Sequence, residues 1–159
     1  MDAVVAVYED WGIGCDGTQP IVVPEDRKHF REVTGTGTVI VGRRTLADFP
    51  GGKPLKNRLN IVLTRSGQPV EGALTAATVE EALALAGENP PAYVIGGASV
   101  YRELLPHCDR VFVTKLFCTP RSDVFFPNLD ADPAWRLAEE GEMKEHEGVR
   151  YVFLRYDRI

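Results

Sequence analysis

A chain of 159 residues, 44% hydrophobic and 26% charged, suffices for one compact domain with a proper core, whereas two domains would leave both halves too small. Its net charge of -5 argues against nucleic acid or an anionic membrane surface as the main partner, so any anionic ligand must be met by a local basic cluster. No apolar run approaches membrane-spanning length; three widely spaced cysteines (Cys15, Cys108, Cys118) and scattered histidines at 29, 107 and 146 predict a reducing cytoplasm and no metal site.

Residues 1 to 8 lack a basic n-region and give way to Glu9-Asp10, so residues 3 to 8 read as a buried strand rather than a signal peptide. Residues 9 to 20 then form a long loop with three glycines and a proline. Such loops are either functional or disordered, and Trp11 and Ile13 favour one that packs on something, as a mobile lid over a ligand does. After apolar Ile21-Val22-Val23, Pro24 suits a first helical turn, and the helix ends at Thr34-Gly35-Thr36-Gly37. Asp26 is thereby placed near the helix N-terminus, where Glu25 and Asp26 answer the helix dipole at the least.

A β-branched run, Thr38-Val39-Ile40-Val41, is a buried strand that ends in the turn Gly42-Arg43-Arg44-Thr45; Leu46, Ala47 and Phe49 continue as a short helix broken by Pro50-Gly51-Gly52. Residues 59 to 63 form a third buried strand, ending in Thr64-Arg65-Ser66-Gly67. A short strand at 73 to 77 leads to Thr78-Val79-Glu80-Glu81, a capping-box opening for a helix that runs to Gly87. Ala92-Tyr93-Val94-Ile95 is a buried strand entering Gly96-Gly97-Ala98-Ser99-Val100-Tyr101 and another helix. Beyond this β-α rhythm, strands at 110 to 116 and 149 to 156 have no convincing helix between them, which suggests an antiparallel edge on a mostly parallel sheet.

Three stretches carry chemistry. A strand that ends in Gly96-Gly97 and enters a helix lets backbone approach a phosphate at the helix's positive end, although a tight turn alone would also need the glycines. Arg43-Arg44-Thr45 and Thr64-Arg65-Ser66 both fall at the carboxyl ends of buried strands, the edge where open α/β sheets bind ligands. Arginines and hydroxyls there suit a polyphosphate, and a phosphorylated ribose in particular, so NADP fits better than NAD. Arg58 at a strand start and Thr114 inside an apolar strand are uninformative singly.

Together these residues resemble dihydrofolate reductase. Trp11-Gly12-Ile13-Gly14, Pro24-Glu25-Asp26, Val41-Gly42-Arg43-Arg44-Thr45, Arg58-x-Asn60-Ile61-Val62-Leu63-Thr64, Val94-Ile95-Gly96-Gly97-Ala98-x-Val100-Tyr101 and Asp123-Val124-Phe125-Phe126-Pro127 come in that family's order and near its spacings. The resemblance implies a single domain over residues 1 to 159 with an α/β, three-layer fold: a mostly parallel eight-stranded sheet with an antiparallel C-terminal edge strand and four flanking helices. It implies NADPH-dependent reduction of 7,8-dihydrofolate to 5,6,7,8-tetrahydrofolate by hydride transfer. Dihydrofolate and antifolate-type small molecules are then the expected partners, with no nucleic acid or membrane, of a cytoplasmic monomer.

By the same resemblance Asp26 is the active-site acid, whose carboxylate can accept from a pterin ring N–H and exocyclic amine together. Thr114 is the threonine that bonds the acid and the amine through water, Phe30 the ring that packs on the pterin and benzoyl group, and Arg58 the grip on the glutamate α-carboxylate. Val4, Arg27, Phe49 and Ile95 complete the expected substrate site. For the cofactor, Ala6 and Ile13 flank the nicotinamide carboxamide, and Gly96 and Gly97 the pyrophosphate. Arg43, Arg44, Thr45, Thr64 and Arg65 meet the phosphates, while Gly42, Leu63, Ile95, Ala98, Ser99 and Val100 line the groove. Tyr101 lies near the nicotinamide face, and Asp123 matches an acidic loop residue that helps hold a closed lid.

Two departures cluster at the pterin. Ile21 stands where the family commonly has a tryptophan, so an indole N–H is missing, and Arg27 follows the acid where an apolar residue usually packs. A cation there would hold Asp26 ionised or reach the benzoyl-glutamate tail. A pyrimidine reductase of riboflavin synthesis and a folate- or NADPH-binding protein without turnover are the alternative readings of the same residues.

Overall fold

The computed structural model describes residues 1 to 159. In chain order its elements are β1 (Asp2–Tyr8), β2 (Gly12–Gly14), α1 (Pro24–Thr34), β3 (Thr38–Gly42), α2 (Arg43–Ala47), β4 (Asn60–Leu63), β5 (Leu74–Ala76), α3 (Val79–Glu88), β6 (Ala92–Gly96) and α4 (Ala98–Leu104). There follow β7 (Arg110–Leu116), β8 (Val124–Phe125), β9 (Trp135–Glu140), β10 (Lys144–His146) and β11 (Val149–Arg158). No helix is long and apolar enough to cross a membrane.

The main sheet has the order β10-β11-β7-β1-β6-β3-β4-β5. Every pairing from β7 to β5 is parallel, and β11 joins β7 antiparallel. The C-terminal strand is antiparallel as expected, with β10 and β9 outside it, both paired to its far side, so the sheet is eight positions wide.

Burial on both sides explains the strand sequences: Val39, Ile40, Val41, Ile61, Val62 and Val94 have no exposed surface, and β-branched side chains fit a pleated layer covered above and below. Alternation divides them. Ile40, Ile61 and Val94 join Ala3, Val5 and Val7 in the large cluster under α3 and α4, whereas Val39, Val41, Val62 and Ile95 form a second cluster with Leu46, Phe30 and Phe49. The sheet is therefore the middle of three layers, with α1 and α2 on the second face. On α3, Ala82 and Ala86 face the core one turn apart, and the cap is present: Glu81 N donates to Thr78 Oγ1 at 3.2 Å, and Ala77 N donates to the Glu81 carboxylate at 2.8 Å.

The sequence-based turn at residues 42 to 45 is corrected: Arg43, Arg44 and Thr45 are the first turn of α2, not a loop. The long loop is also partly ordered, because Gly12–Gly14 pairs with Val124–Phe125 as a separate two-stranded ladder. Trp11 roots that loop. It is buried, stacks on Phe126 at 6.3 Å, meets Tyr156 edge-on at 6.0 Å and lies under the Lys115 ammonium at 5.1 Å.

Candidate active site

The cleft begins where the sheet splits. β1 and β6 pair only through Asp2–Tyr93 and Ala3–Val94, although both strands continue past that point. Beyond it, the Val4 carbonyl accepts from the Tyr101 hydroxyl at 2.6 Å and the Ala6 carbonyl from Gln19 Nε2 at 3.3 Å. An opening at the carboxyl ends of parallel strands is where α/β sheets take ligands.

Val4, Ala6 and Ile95 flank this split, and Thr114 pairs with Ala6 across β1 and β7. Above them α1 presents Asp26. The Thr114 hydroxyl donates to Asp26 Oδ1 at 2.5 Å. Burial pushes the Asp26 pKa up; the Thr114 bond and the neighbouring His29 and Arg27 pull the other way without cancelling it. Removing the donor should therefore move the Asp26 titration to higher pH. We expect Thr114→Val to do so, as followed by the carboxylate carbon resonance, and a midpoint at or below that of the native protein would contradict it.

Phe30 and Phe49 pack on the Ile95 cluster. Arg27 is exposed. Arg58 Nε donates to Thr34 Oγ1 at 3.1 Å and Nη1 to the Lys56 carbonyl at 2.9 Å, and both burial and nearby Arg31 lower its pKa. Two guanidiniums so placed favour an anion between them.

The second half of the site joins three strand ends. Val41 is in register with Gly96, and Gly42 with Leu63, which brings the ends of β3, β4 and β6 together. A Cβ on Gly97 would stand 2.5 Å from Thr45 Oγ1, so the openings of α2 and α4 touch with only glycine between them. Gly96 has φ 137, a conformation that favours glycine, and its peptide with Gly97 is cis. Val100 packs beneath, 3.0 Å from where a Cβ of Gly42 would be, while Ala98 is half-buried and Ser99 exposed. Arg43 bonds only the Gln68 carbonyl, at 3.4 Å, and the Thr64 and Ser66 hydroxyls share a 3.0 Å bond. Arg44 is exposed beside them. Arg65 is largely free in solvent, with Glu103 at 3.5 Å. Bare backbone, hydroxyls and arginines at one edge fit a diphosphate-bearing dinucleotide.

The loop between β1 and α1 is tied down at several points. Ile13 packs on the main core, Asp16 N donates to Asp123 Oδ2 at 2.9 Å, and Ile21 N donates to the Tyr8 hydroxyl at 3.1 Å. Sequence reasoning did not find the residues that hold the neighbours of Asp26 from outside α1, namely Tyr151 and Lys144 on Glu25 and Phe153 on His29, nor His29 on α1 itself. A signal for His29 existed, since positions three apart share a helix face.

Over residues 1–158 the chain matches the family model described as dihydrofolate reductase. It is similar to the dihydrofolate reductase of Neisseria meningitidis, 36% identical over 98% of this chain and 96% of that one. It is 33% identical to a bifunctional dihydrofolate reductase-thymidylate synthase of Glycine max, over 98% of this chain, and spans 33% of that protein. Among solved structures it superimposes with a TM-score of 0.88 on a dihydrofolate reductase from Enterococcus faecalis complexed with NADP(H) and RAB-propyl, at 35% identity over 99% of this chain and 95% of the other. A split parallel sheet with a half-buried carboxylate on one side and a glycine-arginine edge on the other thus has both the sequence and the shape of its relatives, and the chain belongs to the dihydrofolate reductase family.

Proposed function

We infer that this chain reduces 7,8-dihydrofolate to 5,6,7,8-tetrahydrofolate with NADPH, and that Asp26 is the acid on which the step depends. The observation that carries the reading is the Thr114–Asp26 pair, a half-buried carboxylate fixed by one buried hydroxyl beside the split in the sheet. NADPH supplies the hydride when bound. Asp26 accepts from the pterin ring N–H and exocyclic amine, and its charge favours the pterin protonated at N5. Thr114 orients that carboxylate. Phe30 and Phe49 flank the pterin and benzoyl rings, Val4 and Ile95 form the floor, and Arg58 grips the α-carboxylate of the tail.

On the cofactor side, Ala6 and Ile13 would hold the carboxamide, Gly96 and Gly97 would leave room for the pyrophosphate, and Tyr101 would be near the nicotinamide. Gly42, Leu63, Ala98, Ser99 and Val100 line the groove, and Arg43, Arg44, Thr45, Thr64 and Arg65 meet the phosphates. Arg27, exposed, is free to reach the benzoyl-glutamate tail. The protein acts as a cytoplasmic monomer on dihydrofolate, binds antifolate-type molecules in the same cleft, and engages no nucleic acid or membrane.

The test is the loss of NADPH absorbance with purified protein and dihydrofolate, repeated with NADH and without folate. NADPH-selective loss is expected; tight NADPH binding with no loss would sink the reading. Arg65→Ala should weaken NADPH by about tenfold and NADH hardly at all, because one charge-assisted contact to a 2′-phosphate is worth ~1.5 kcal/mol. Equal losses for both nucleotides would move the 2′-phosphate elsewhere.

A further inference from the structure

α1 carries Asp26 yet buries little of itself. Of its 11 residues only Thr34 is fully buried, and Val23 at its N-cap offers no side-chain cap. Pro24, Glu25 and Arg27 of its first turn are exposed, and the apolar root at that end is Val23, buried in one cluster with Tyr8, Leu116 and Tyr151.

That turn is tied down from the C-terminal strands. The Glu25 carboxylate accepts from the Tyr151 hydroxyl and, at 3.1 Å, from Lys144 Nζ. One turn on, the His29 imidazole lies flat on Phe153, with centroids 4.0 Å apart and planes at 20°, and Lys144 Nζ stands 5.4 Å from the same ring. Burial lowers the His29 pKa, which keeps the stacked ring neutral near pH 7. Glu25 and His29 bracket Asp26 in sequence. Phe153, for its part, is the register partner of Thr114, so the strand that anchors α1 also backs the hydroxyl bound to Asp26.

The two ties on Glu25 differ in strength. Lys144 and Glu25 are both substantially exposed, so water and salt weaken that pair. Tyr151 is 2% exposed, and Glu25 is its hydroxyl's only hydrogen-bond partner. An unpaired hydroxyl there would be costly.

We propose that Tyr151 is a positioning residue for this enzyme: acting through Glu25, it locks the first turn of α1 and so sets where the Asp26 carboxylate meets the pterin. The inference rests on the reading of Asp26 given above. Lys144 is the exchangeable second anchor, and Phe153 is the surface on which the turn rests.

Tyr151→Phe is the sharpest test, because it keeps the ring and its packing with Tyr8, Val23 and Leu116 and removes only the hydroxyl. In single turnover with NADPH we expect hydride transfer to slow about five- to tenfold, the loss that goes with roughly 1 kcal/mol. Affinity for a 2,4-diaminopyrimidine, which pairs with a carboxylate through its amidine edge, should fall by a similar factor, and affinity for NADPH should not change. Glu25→Ala should reproduce the loss and supplies the test from the exposed end if Tyr151→Phe does not fold. The double variant should be no slower than Glu25→Ala alone, since the hydroxyl acts only through that carboxylate.

Native rates in Tyr151→Phe, losses that multiply in the double variant, or an equal loss of NADPH affinity would each overturn the proposal. Asp26→Asn in the same assays separates the two readings. Full turnover in Asp26→Asn removes the acid itself, whereas an inactive Asp26→Asn beside an unimpaired Tyr151→Phe removes only the tether.

Discussion

Asp26→Asn should lose at least about a hundredfold in turnover at pH 7 while binding NADPH as the native protein does. An amide cannot carry the charge that favours a protonated pterin, and the groove proposed for the nucleotide lies along other strand ends. The same substitution should raise stability. Burial lifts the folded-state pKa of Asp26 above its unfolded value, so the folded protein holds the proton more tightly. The stability this confers is complete below the unfolded pKa and is lost as pH rises through the folded one. At pH 7 the native protein has lost it, and asparagine, which never ionises and can still accept from Thr114, has not. A melting temperature higher by about 2–4 °C at pH 7 is expected, the shift that ~1 kcal/mol makes in a domain of this size, with the advantage vanishing below about pH 4. Absorbance kinetics and calorimetry against pH check the two halves. Unchanged turnover would take Asp26 out of the mechanism, and a lower melting temperature would show that its charge stabilises rather than strains the fold.

Gly96→Ala should damage both fold and cofactor binding. At φ 137 a side chain is strained wherever it points, and an added Cβ would stand 3.3 Å from Thr45 Cγ2, where the openings of α2 and α4 meet. Strain of ~1–3 kcal/mol follows, and a fall in melting temperature of about 2–10 °C. NADPH affinity should drop by more than about tenfold, because the backbone can no longer approach the phosphates closely. Gly87→Ala is the control: on α3, with nothing within 4 Å of its added Cβ, it should be neutral or slightly stabilising. A Gly96→Ala protein that melts and binds NADPH like the native one would show that this glycine is there for neither reason.

The contrast between the two halves of the chain explains what could be read from residues alone. β1, β3, β4 and β6 are runs of mainly apolar, often β-branched side chains largely buried on both faces, and such runs declare themselves locally. β9 buries only Trp135 completely and β10 is Lys144-Glu145-His146, so neither carries an apolar pattern. β2 and β8 exist because residues far apart in the chain pair, which no local window reveals. Arg43, Arg44 and Thr45 were placed at the correct sheet edge but as a turn, since five helical residues are too few to show a period. Asp26 was legible from Pro24, which fixed its place in the first turn. Tyr151 and Phe153 were not. Alternation puts them on one face of β11, but only the packing of α1 over that face brings them to the acid. The departure at Ile21 is accommodated by the main chain, which Tyr8 holds by hydroxyl contacts to both the N–H and the carbonyl of that residue.

The way the sheet ends also bears on how copies of the protein meet one another. A long bare strand edge invites a second molecule to add its own strand. Here one margin is β5, three residues long, and the other is shared by β9 and β10, which are offset from each other and carry Arg136, Glu139, Glu140, Lys144 and Glu145. Neither offers a straight apolar ladder. The interrupted, charged margin that hid from sequence reasoning thus gives a second copy no continuous ladder on which to add a strand.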